Sequence, residues 1–309
     1  MMIYDVVIIG GGPAGLTAGI YASRALMKTI LLEKIAPGGL VITTDRVENY
    51  PGFSDGIAGY GLMQEMEKQA IKFGLEILSG ELIMISEENK VFNIKTASQN
   101  YKALSVIIAA GGTHRKLGIE GEGLFLGRGV SYCGTCDGPL FKDKEVVVVG
   151  GGDTAVEEAL FLTRFVKKIY LVHRRDRLRA SAILQERAKA NNKIEFVWNS
   201  VVSRIYGKTK IEKITIKNLI DNKESELNID GVFVFIGFEP NTAFLKGFID
   251  LDENSYVVTD SEMRTSREGV FAAGDVRSKT LRQIITACSD GAHAAVSAQH
   301  FVEQFKYRA

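Results

Sequence analysis

Cysteine is scarce in this 309-residue chain: there are three, so an odd one stays outside any pairing within the chain. That excludes a secreted fold stapled by several disulfides. Histidine is scarcer than a metalloprotein would want, with four in all. His114, His173, His293 and His300 lack companion ligand spacing, so no metal site is expected. Charge of one sign is missing too: 38 Lys and Arg against 37 Asp and Glu leave a formal +1. Such balance gives no support for a polyanionic partner, and no nucleic-acid motif or low-complexity segment appears. No segment reads as the roughly 18 consecutive apolar residues of a membrane helix. The nearest, residues 3–22, is interrupted by Tyr4 and Asp5, is broken by clustered glycines and has no basic stretch before it. It reads as a buried strand, turn and helix and not as a leader or a span. The expectation is a cytoplasmic protein without membrane or nucleic-acid partners.

Glycine, by contrast, is abundant: 32 residues against five prolines. Many of them fall in one phrase, written twice. The first copy is Asp5-Val-Val-Ile-Ile-Gly10-Gly-Gly12-Pro13-Ala14-Gly15, and the second is Glu145-Val-Val-Val-Val-Gly150-Gly-Gly152-Asp153-Thr154-Ala155. Each is a β-branched run, a glycine cluster and a helical pattern. Continuous apolar runs suit parallel strands covered on both faces. The first glycine permits a tight turn, the second admits a pyrophosphate close to the backbone, and the third small residue lets helix pack on strand. The helix N-terminus then offers free N–H groups to phosphates.

The strand after each copy separates the two sites. Lys28-Thr-Ile-Leu-Leu-Glu33 places an acid where a ribose diol would donate to it, whereas Lys168-Ile-Tyr-Leu-Val-His173-Arg174-Arg175 has a histidine at the same offset, followed by arginines. A carboxylate repels a 2′-phosphate and guanidinium groups bind one. The pattern therefore predicts a dinucleotide with an unphosphorylated ribose at the first site and NADP(H) at the second. Hydride transfer from a nicotinamide to a flavin is the economical chemistry for such a pair, since FAD also has an ADP half with a free ribose.

Three further apolar strands organise the rest. Residues 101–112 end the first unit, 230–240 close the second, and 267–275 end in Gly274-Asp275 before a helical pattern over 283–305. The expected fold is α/β with two Rossmann-like nucleotide-binding domains of three-layer ββα type, one inserted into the other. The expected boundaries are 1–113 and 244–309 for the split domain and 114–243 for the inserted one, with joints at Gly112-Thr113 and Glu239-Pro240. Moderate alternation over 193–230 suggests antiparallel hairpins.

Two cysteines stand together in Ser131-Tyr-Cys133-Gly-Thr-Cys136-Asp137-Gly138, just ahead of the second glycine phrase. A Cys-x-x-Cys pair beside an α/β unit reads as redox-active. Structural zinc normally takes four ligands, and no second pair exists. A four-residue ring would remove little unfolded-state entropy as a staple. Asp137 is a plausible proton donor or acceptor for a thiolate.

Taken in order, these motifs resemble the low-molecular-weight, bacterial-type thioredoxin reductases, FAD-containing NADPH:disulfide oxidoreductases. The stretches that carry the resemblance are Gly10 to Gly15, Val47 to Phe53, Cys133 to Gly138, Gly150 to Ala155, His173 to Arg179, Ala273 to Asp275 and Arg282 to Ala287. The resemblance implies that Cys136 interacts with the flavin, that Cys133 attacks the disulfide of thioredoxin and that Asp137 is their acid–base partner. It implies an FAD site at Gly10, Gly12, Pro13, Ala14, Gly15, Glu33, Gly39, Leu40, Asn49, Gly111, Gly274, Asp275, Arg282, Gln283 and Ile284. The NADPH site would use Gly150, Gly152, Asp153, Thr154, Ala155, His173, Arg174, Arg175, Arg179 and Gly237. It also implies a homodimer whose inserted domain, the NADPH domain, rotates against the split FAD domain.

The chain departs from that pattern at Gly38-Gly39-Leu40, where many relatives have Gly-Gly-Gln, and at Gly138-Pro139-Leu140, where relatives often carry an aromatic. Cys288 reads as buried filler. Relatives that take another electron donor or a small-molecule disulfide, and a non-catalytic nucleotide-sensing protein, are the competing readings. The intact fingerprints and cysteine pair weigh against them.

Overall fold

The computed structural model describes residues 2–44 and 46–308. They fall into two compact units: 1–44, 57–113 and 239–309 form the first, and 45–56 with 114–238 form the second. The chain leaves the first unit after Thr113 and re-enters it at Glu239. Residues 239–243, expected with the inserted unit, go with the first. The cause is local: Asn241 donates from its backbone to Gly111 O and from its side chain to Ala110 O, and the following Leu245 is buried in the first unit's core.

The first unit begins β1 (Ile3–Ile9), α1 (Pro13–Arg24), β2 (Thr29–Glu33), α2 (Gly59–Lys72) and β3 (Glu76–Ser79). It continues with β4 (Leu82–Glu88), β5 (Val91–Thr96), β6 (Asn100–Ile108) and β7 (Gly112–His114). Strands β3, β2, β1 and β6 lie side by side in parallel, and β1 is the inner strand that the run Val6-Val7-Ile8 requires, all three fully buried. Val7, Ile9, Ile30, Leu32, Val106 and Ile108 face one core. Ile85, Phe92 and Ile94 of the β4–β5 hairpin join the same core, so the hairpin curls over that face. It does so without forming a separate sheet, because β6 pairs with β5 along its first half. The three-layer expectation is met here by one continuous sheet.

The second unit runs β8 (Val130–Ser131), α3 (Gly134–Asp137), β9 (Glu145–Gly150), α4 (Asp153–Leu162), β10 (Lys168–Val172) and α5 (Ala182–Ala190). Then come β11 (Ile194–Val197), β12 (Ser200–Gly207), β13 (Ile211–Asn218), β14 (Glu224–Asn228) and β15 (Gly231–Phe235). A five-stranded parallel sheet, β11-β10-β9-β15-β8, has helices on one face and the antiparallel β12-β13-β14 sheet on the other. Alternation sorts β9 between them: Val146 and Val148 meet α4 and α5, while Val147 and Val149 meet Ile205, Ile214 and Ile216. The hairpins expected over 193–230 are these three strands.

The return crossing is β16 (Phe238–Pro240), which pairs with β7. The first unit closes with β17 (Val270–Ala272), paired in parallel with the second half of β6, and α6 (Ile284–Arg308), packed on α1. The carboxyl ends of β1, β2, β6 and β17 therefore share one edge of the sheet, the edge where open α/β sheets place ligands. Among the described residues no helix is long and apolar enough to cross a membrane.

Candidate active site

Three chemical features result, a glycine cradle in each unit and a disulfide in the second. In the first unit Gly10 takes a positive φ of 104°, and a Cβ there would strike Ala109 O. A Cβ on Gly15 would strike Gly10 O, so helix and strand meet more closely than any side chain permits. Gly12 differs: a Cβ there would meet nothing within 4 Å, which is the open approach a pyrophosphate needs. Pro13 occupies the first turn of α1 and no side chain caps that turn, so its N–H groups face outward. Glu33 accepts from Gly11 N at 2.7 Å, which fixes its carboxylate beside the cradle.

The same edge collects most of the first set of expected residues. Gly38 N donates to Gly11 O, and Gly39 lies against Gly12. Leu40 follows in a short 3-10 turn and is 40% exposed. Ala273 N donates to Ile108 O, which brings Gly274 and Asp275 over α1, where a Cβ on Gly274 would press on Ala14. Arg282 Nε donates to Asp275 O at 3.4 Å, and its guanidinium lies 4.1 Å from the centre of the Tyr256 ring. Gln283 and Ile284 open α6 directly behind it. Asn49 lies in a segment that goes with the second unit.

Asp275 bears on what fills the cradle. Its Oδ1 is buried without a hydrogen-bond partner, and burial pushes its carboxyl above the usual range against the pull of Lys279 and Arg282. Orphaned buried oxygens are rare in native folds and call for a partner. With the open face of Gly12 and the ribose-register acid Glu33, the donor set fits the ADP and sugar portion of FAD. Pattern reasoning missed the support beneath it. Asp290 of α6 is 8% exposed, accepts from Gly274 N, and pairs with Arg277 and Lys279 at 2.9 Å each. Nothing in residue spacing ties Asp290 to a loop that precedes its helix.

The second cradle is built alike. A Cβ on Gly150 would collide with Ala155 and Phe235 O, so Ala155 is the small residue that lets α4 close on β9. Asp153 accepts from Ser181 N at 2.7 Å, and Arg179 N donates to Gly151 O at 2.7 Å, so the arginine loop is tied to the glycine turn. Arg174, Arg175, Arg177 and Arg179 are exposed. The Arg179 guanidinium reaches to 3.9 Å from the position of a Gly152 Cβ. His173 stands at the register of Glu33 and, as Glu33 does at Gly11, lies against the middle glycine of its turn: it is 6% exposed, and its ring would exclude a Cβ on Gly151. Its Nε2 has no partner, and burial lowers its pKa, so the ring stays neutral beneath the turn. Gly237 lies two residues beyond the partner of Gly150, with φ of 137°, and accepts from Arg115 N.

Within the second unit, the edge strand β8 leads into the cysteines. Cys133 and Cys136 form a disulfide. Cys133 is the N-cap of α3, and its Sγ accepts from Cys136 N at 3.1 Å and lies 3.4 Å from Thr135 Oγ1. After reduction of the bond, an N–H donated from Cys136 to this sulfur would favour its thiolate. Asp137 is anchored, since Ser131 Oγ donates to its Oδ2 at 2.6 Å and accepts from Cys133 N at 3.1 Å. Ser131 is 4% exposed and joins the acid to the cysteine backbone, a link no motif announces.

Behind the cysteines, Tyr132 donates to Glu122 Oε1 at 2.7 Å and stacks on His114 at 4.9 Å, while Phe238 meets the other flank of His114 edge-on. Burial in that sandwich pushes His114 from 6.5 down to about 4. The folded chain keeps this ring neutral at pH values where the unfolded chain protonates it. Its contribution to stability is complete above pH 6.5 and is lost as pH falls toward 4. His114→Phe keeps the stack without the proton. Its melting temperature is expected to drop less than that of the wild type between about pH 7 and pH 4.5, and parallel drops would refute the assignment.

Among the described residues no cluster of three or more His, Cys, Asp or Glu is placed to hold a metal ion. The pyridine nucleotide-disulphide oxidoreductase family model matches residues 4–291. A thioredoxin reductase of Listeria innocua is 49% identical over 308 residues, covering 98% of this chain and 95% of its own. One from Bacillus subtilis is 48% identical over 305 residues, covering 98% and 96%. The crystal structure of thioredoxin reductase from Streptococcus pyogenes superposes with a TM-score of 0.95 at 44% identity, covering 98% of this chain and 99% of that one.

Proposed function

Since the chain belongs to the low-molecular-weight thioredoxin reductases, within the pyridine nucleotide-disulphide oxidoreductases, we propose that the residues described above carry NADPH-dependent thioredoxin reduction through FAD and the Cys133–Cys136 disulfide. The observation that carries the assignment of roles is the disulfide itself, formed at the cap of α3 with hydrogen-bond donors gathered on the Cys133 sulfur.

FAD suits the first unit. Gly10, Gly12, Pro13, Ala14 and Gly15 would receive its pyrophosphate, Glu33 its ribose and Asp275 its sugar or phosphate region. Gly39, Leu40, Gly111, Arg282, Gln283 and Ile284 would border the rest, with Asn49 supplied from the segment that goes with the second unit. NADPH suits the second unit, with Gly150, Gly152, Asp153, Thr154 and Ala155 at the pyrophosphate and Gly237 at the same strand edge. Arg174, Arg175 and Arg179 would hold its 2′-phosphate. His173 supports the turn from below and leaves the ribose uncontested by a carboxylate. FAD, when bound, supplies a two-electron carrier between nicotinamide and disulfide.

The sulfur chemistry belongs to the chain. Once the pair is reduced, the Cys133 thiolate attacks a thioredoxin sulfur; a Cys133–substrate bond forms and one substrate thiolate leaves. Cys136 then attacks Cys133, which remakes the internal disulfide and releases the second substrate thiolate. Asp137, held by Ser131, is the group that exchanges the proton. Cys136 is the sulfur on the flavin side of this relay and Cys133 the one on the substrate side. A homodimer in the cytoplasm, without nucleic-acid or membrane partners, completes the proposal. The balance of 38 basic against 37 acidic residues gives no support for a polyanionic partner.

Purified protein should be yellow, and its visible absorption should bleach anaerobically with NADPH far faster than with NADH or reduced ferredoxin. Added thioredoxin should then be reduced catalytically. Protein that carries no flavin after reconstitution, or that leaves thioredoxin oxidised, would defeat the reading.

A further inference from the structure

One half-buried acid, with a buried carboxyl oxygen, takes no part in the chemistry above. Glu158 lies on α4, which packs against α3. Its Oε2 is buried without a hydrogen-bond partner. It is aimed at the cysteine segment: a Cβ on Gly134, between the two cysteines, would collide with Oε2, with Leu162 Cγ next nearest at 3.5 Å. Gly134 is therefore what allows the carboxyl to rest against the first turn of α3. We propose that Glu158 is a positioning residue for the redox pair, seated under Gly134, and that its charge sets the proton affinity of the Cys133 sulfur.

Two opposed influences leave Glu158 ready to respond. Burial favours its neutral acid and lifts its pKa, while the backbone amides of Gly134 and Thr135 on α3 favour its anion without completing a bond to Oε2. Glu157, next along α4, adds a like charge. The other ionisable groups on elements packed against α4 are Asp137 on α3, Glu186, Arg187 and Lys189 on α5, and Glu145 on β9. Asp137 is bonded to Ser131 and Glu145 is paired with Lys167, while β15 carries none.

The inference rests on the redox role given to Cys133 and Cys136. Two-electron reduction, driven by NADPH, breaks the S–S bond; the two sulfurs then hold one proton between them when one remains a thiolate. Cys133 caps the same turn that Glu158 supports from below. A second negative charge there raises the cost of the Cys133 thiolate, so an ionised Glu158 increases that sulfur's affinity for a proton. By reciprocity, a thiolate at Cys133 raises the proton affinity of Glu158. The pair exchanges protons in step with the state of the disulfide. Around Cys133 the Cys136 amide and the Thr135 hydroxyl act in the opposite sense.

The test titrates the reduced holoenzyme by the rate of iodoacetamide alkylation at Cys133, read by peptide mass spectrometry across pH. Glu158→Gln keeps the size and removes the charge. Its midpoint should fall, so that alkylation one pH unit below the wild-type midpoint rises about 3- to 10-fold. In a fixed dithiol buffer its dithiol-to-disulfide ratio should rise by a similar factor. The exposed Glu157→Gln is the control, with a change of less than about twofold expected. Superimposable profiles for Glu158→Gln and wild type would overturn the proposal, and so would equal shifts in both variants. If Glu158→Gln does not fold, the wild-type carboxyl is followed by infrared spectroscopy. A buried carboxyl band whose titration is the same in disulfide and dithiol forms is then the overturning result. Thiol titration needs no turnover, so it is read independently of whether thioredoxin is the substrate.

Discussion

Cys136→Ser is expected to lower NADPH-dependent thioredoxin reduction by about three orders of magnitude or more, the scale on which removing one member of a catalytic unit acts. The size follows from stoichiometry. A disulfide is reduced by two electrons, and thiol–disulfide exchange returns a free substrate dithiol only if a second thiol on the enzyme resolves the mixed disulfide. With Cys136 gone, Cys133 still forms the mixed bond, but the freed substrate thiol can only reverse it. The variant should keep the fold, because the α3 turn is held by Asp137 N donating to Cys133 O and by the Ser131 bonds, none of which uses the Cys136 sulfur. NADPH should still bind with unchanged affinity, as its proposed contacts lie on β9, α4 and the loop after β10. Stopped turnover with intact NADPH binding is the predicted pair of results. Thioredoxin reduction unimpaired in this variant would remove the disulfide from the mechanism.

The sequence displays some of this arrangement openly and hides the rest, for a physical reason. Local signals were legible wherever function and fold use neighbours in the chain. The two glycine phrases announce their strands because an inner parallel strand must be apolar on both faces, and the Cys-x-x-Cys pair closes its own ring. Both joints have a local signal, Gly112-Thr113 and Glu239-Pro240, but the side to which residues 239–243 belong does not: Asn241 bonds to Ala110 and Gly111, and its side-chain bond to Ala110 O spans 131 positions that no local pattern encodes. Ser131, Glu158 and Asp290 were invisible for a shared reason: each is a polar residue on an ordinary element whose importance comes from which backbone it meets after folding. Serine before a cysteine motif, glutamate in a helix and aspartate in a long helix are each the commonest kind of surface residue until burial makes them something else.

The other large effect concerns nucleotide choice. Arg174→Ala with Arg175→Ala should raise KM for NADPH about 100-fold while kcat changes by less than about threefold and kinetics with NADH barely move. A 2′-phosphate brings close to two negative charges, and a charge-assisted hydrogen bond is worth about 1.5–3 kcal/mol. The two guanidinium groups are exposed, so solvent and salt reduce their combined worth toward the lower end, about 2.7 kcal/mol, or two powers of ten. Arg179 is left in place because its guanidinium lies against the glycine turn itself, 3.9 Å from the position of a Gly152 Cβ, so removing it would mix 2′-phosphate binding with contacts at the pyrophosphate cradle. The loss should fall on KM, since the 2′-phosphate is remote from the nicotinamide and is held alike in ground and transition states. Binding can be read directly from the single tryptophan, Trp198, whose ring lies edge-on to His173 at 6.4 Å. Added salt should weaken NADPH binding to the wild type more steeply than to the variant, because the variant lacks two of the three cationic contacts on which screening acts. Equal losses for NADPH and NADH would show that these arginines shape the loop and do not read the phosphate, and a fall in kcat at constant KM would place them in the chemistry.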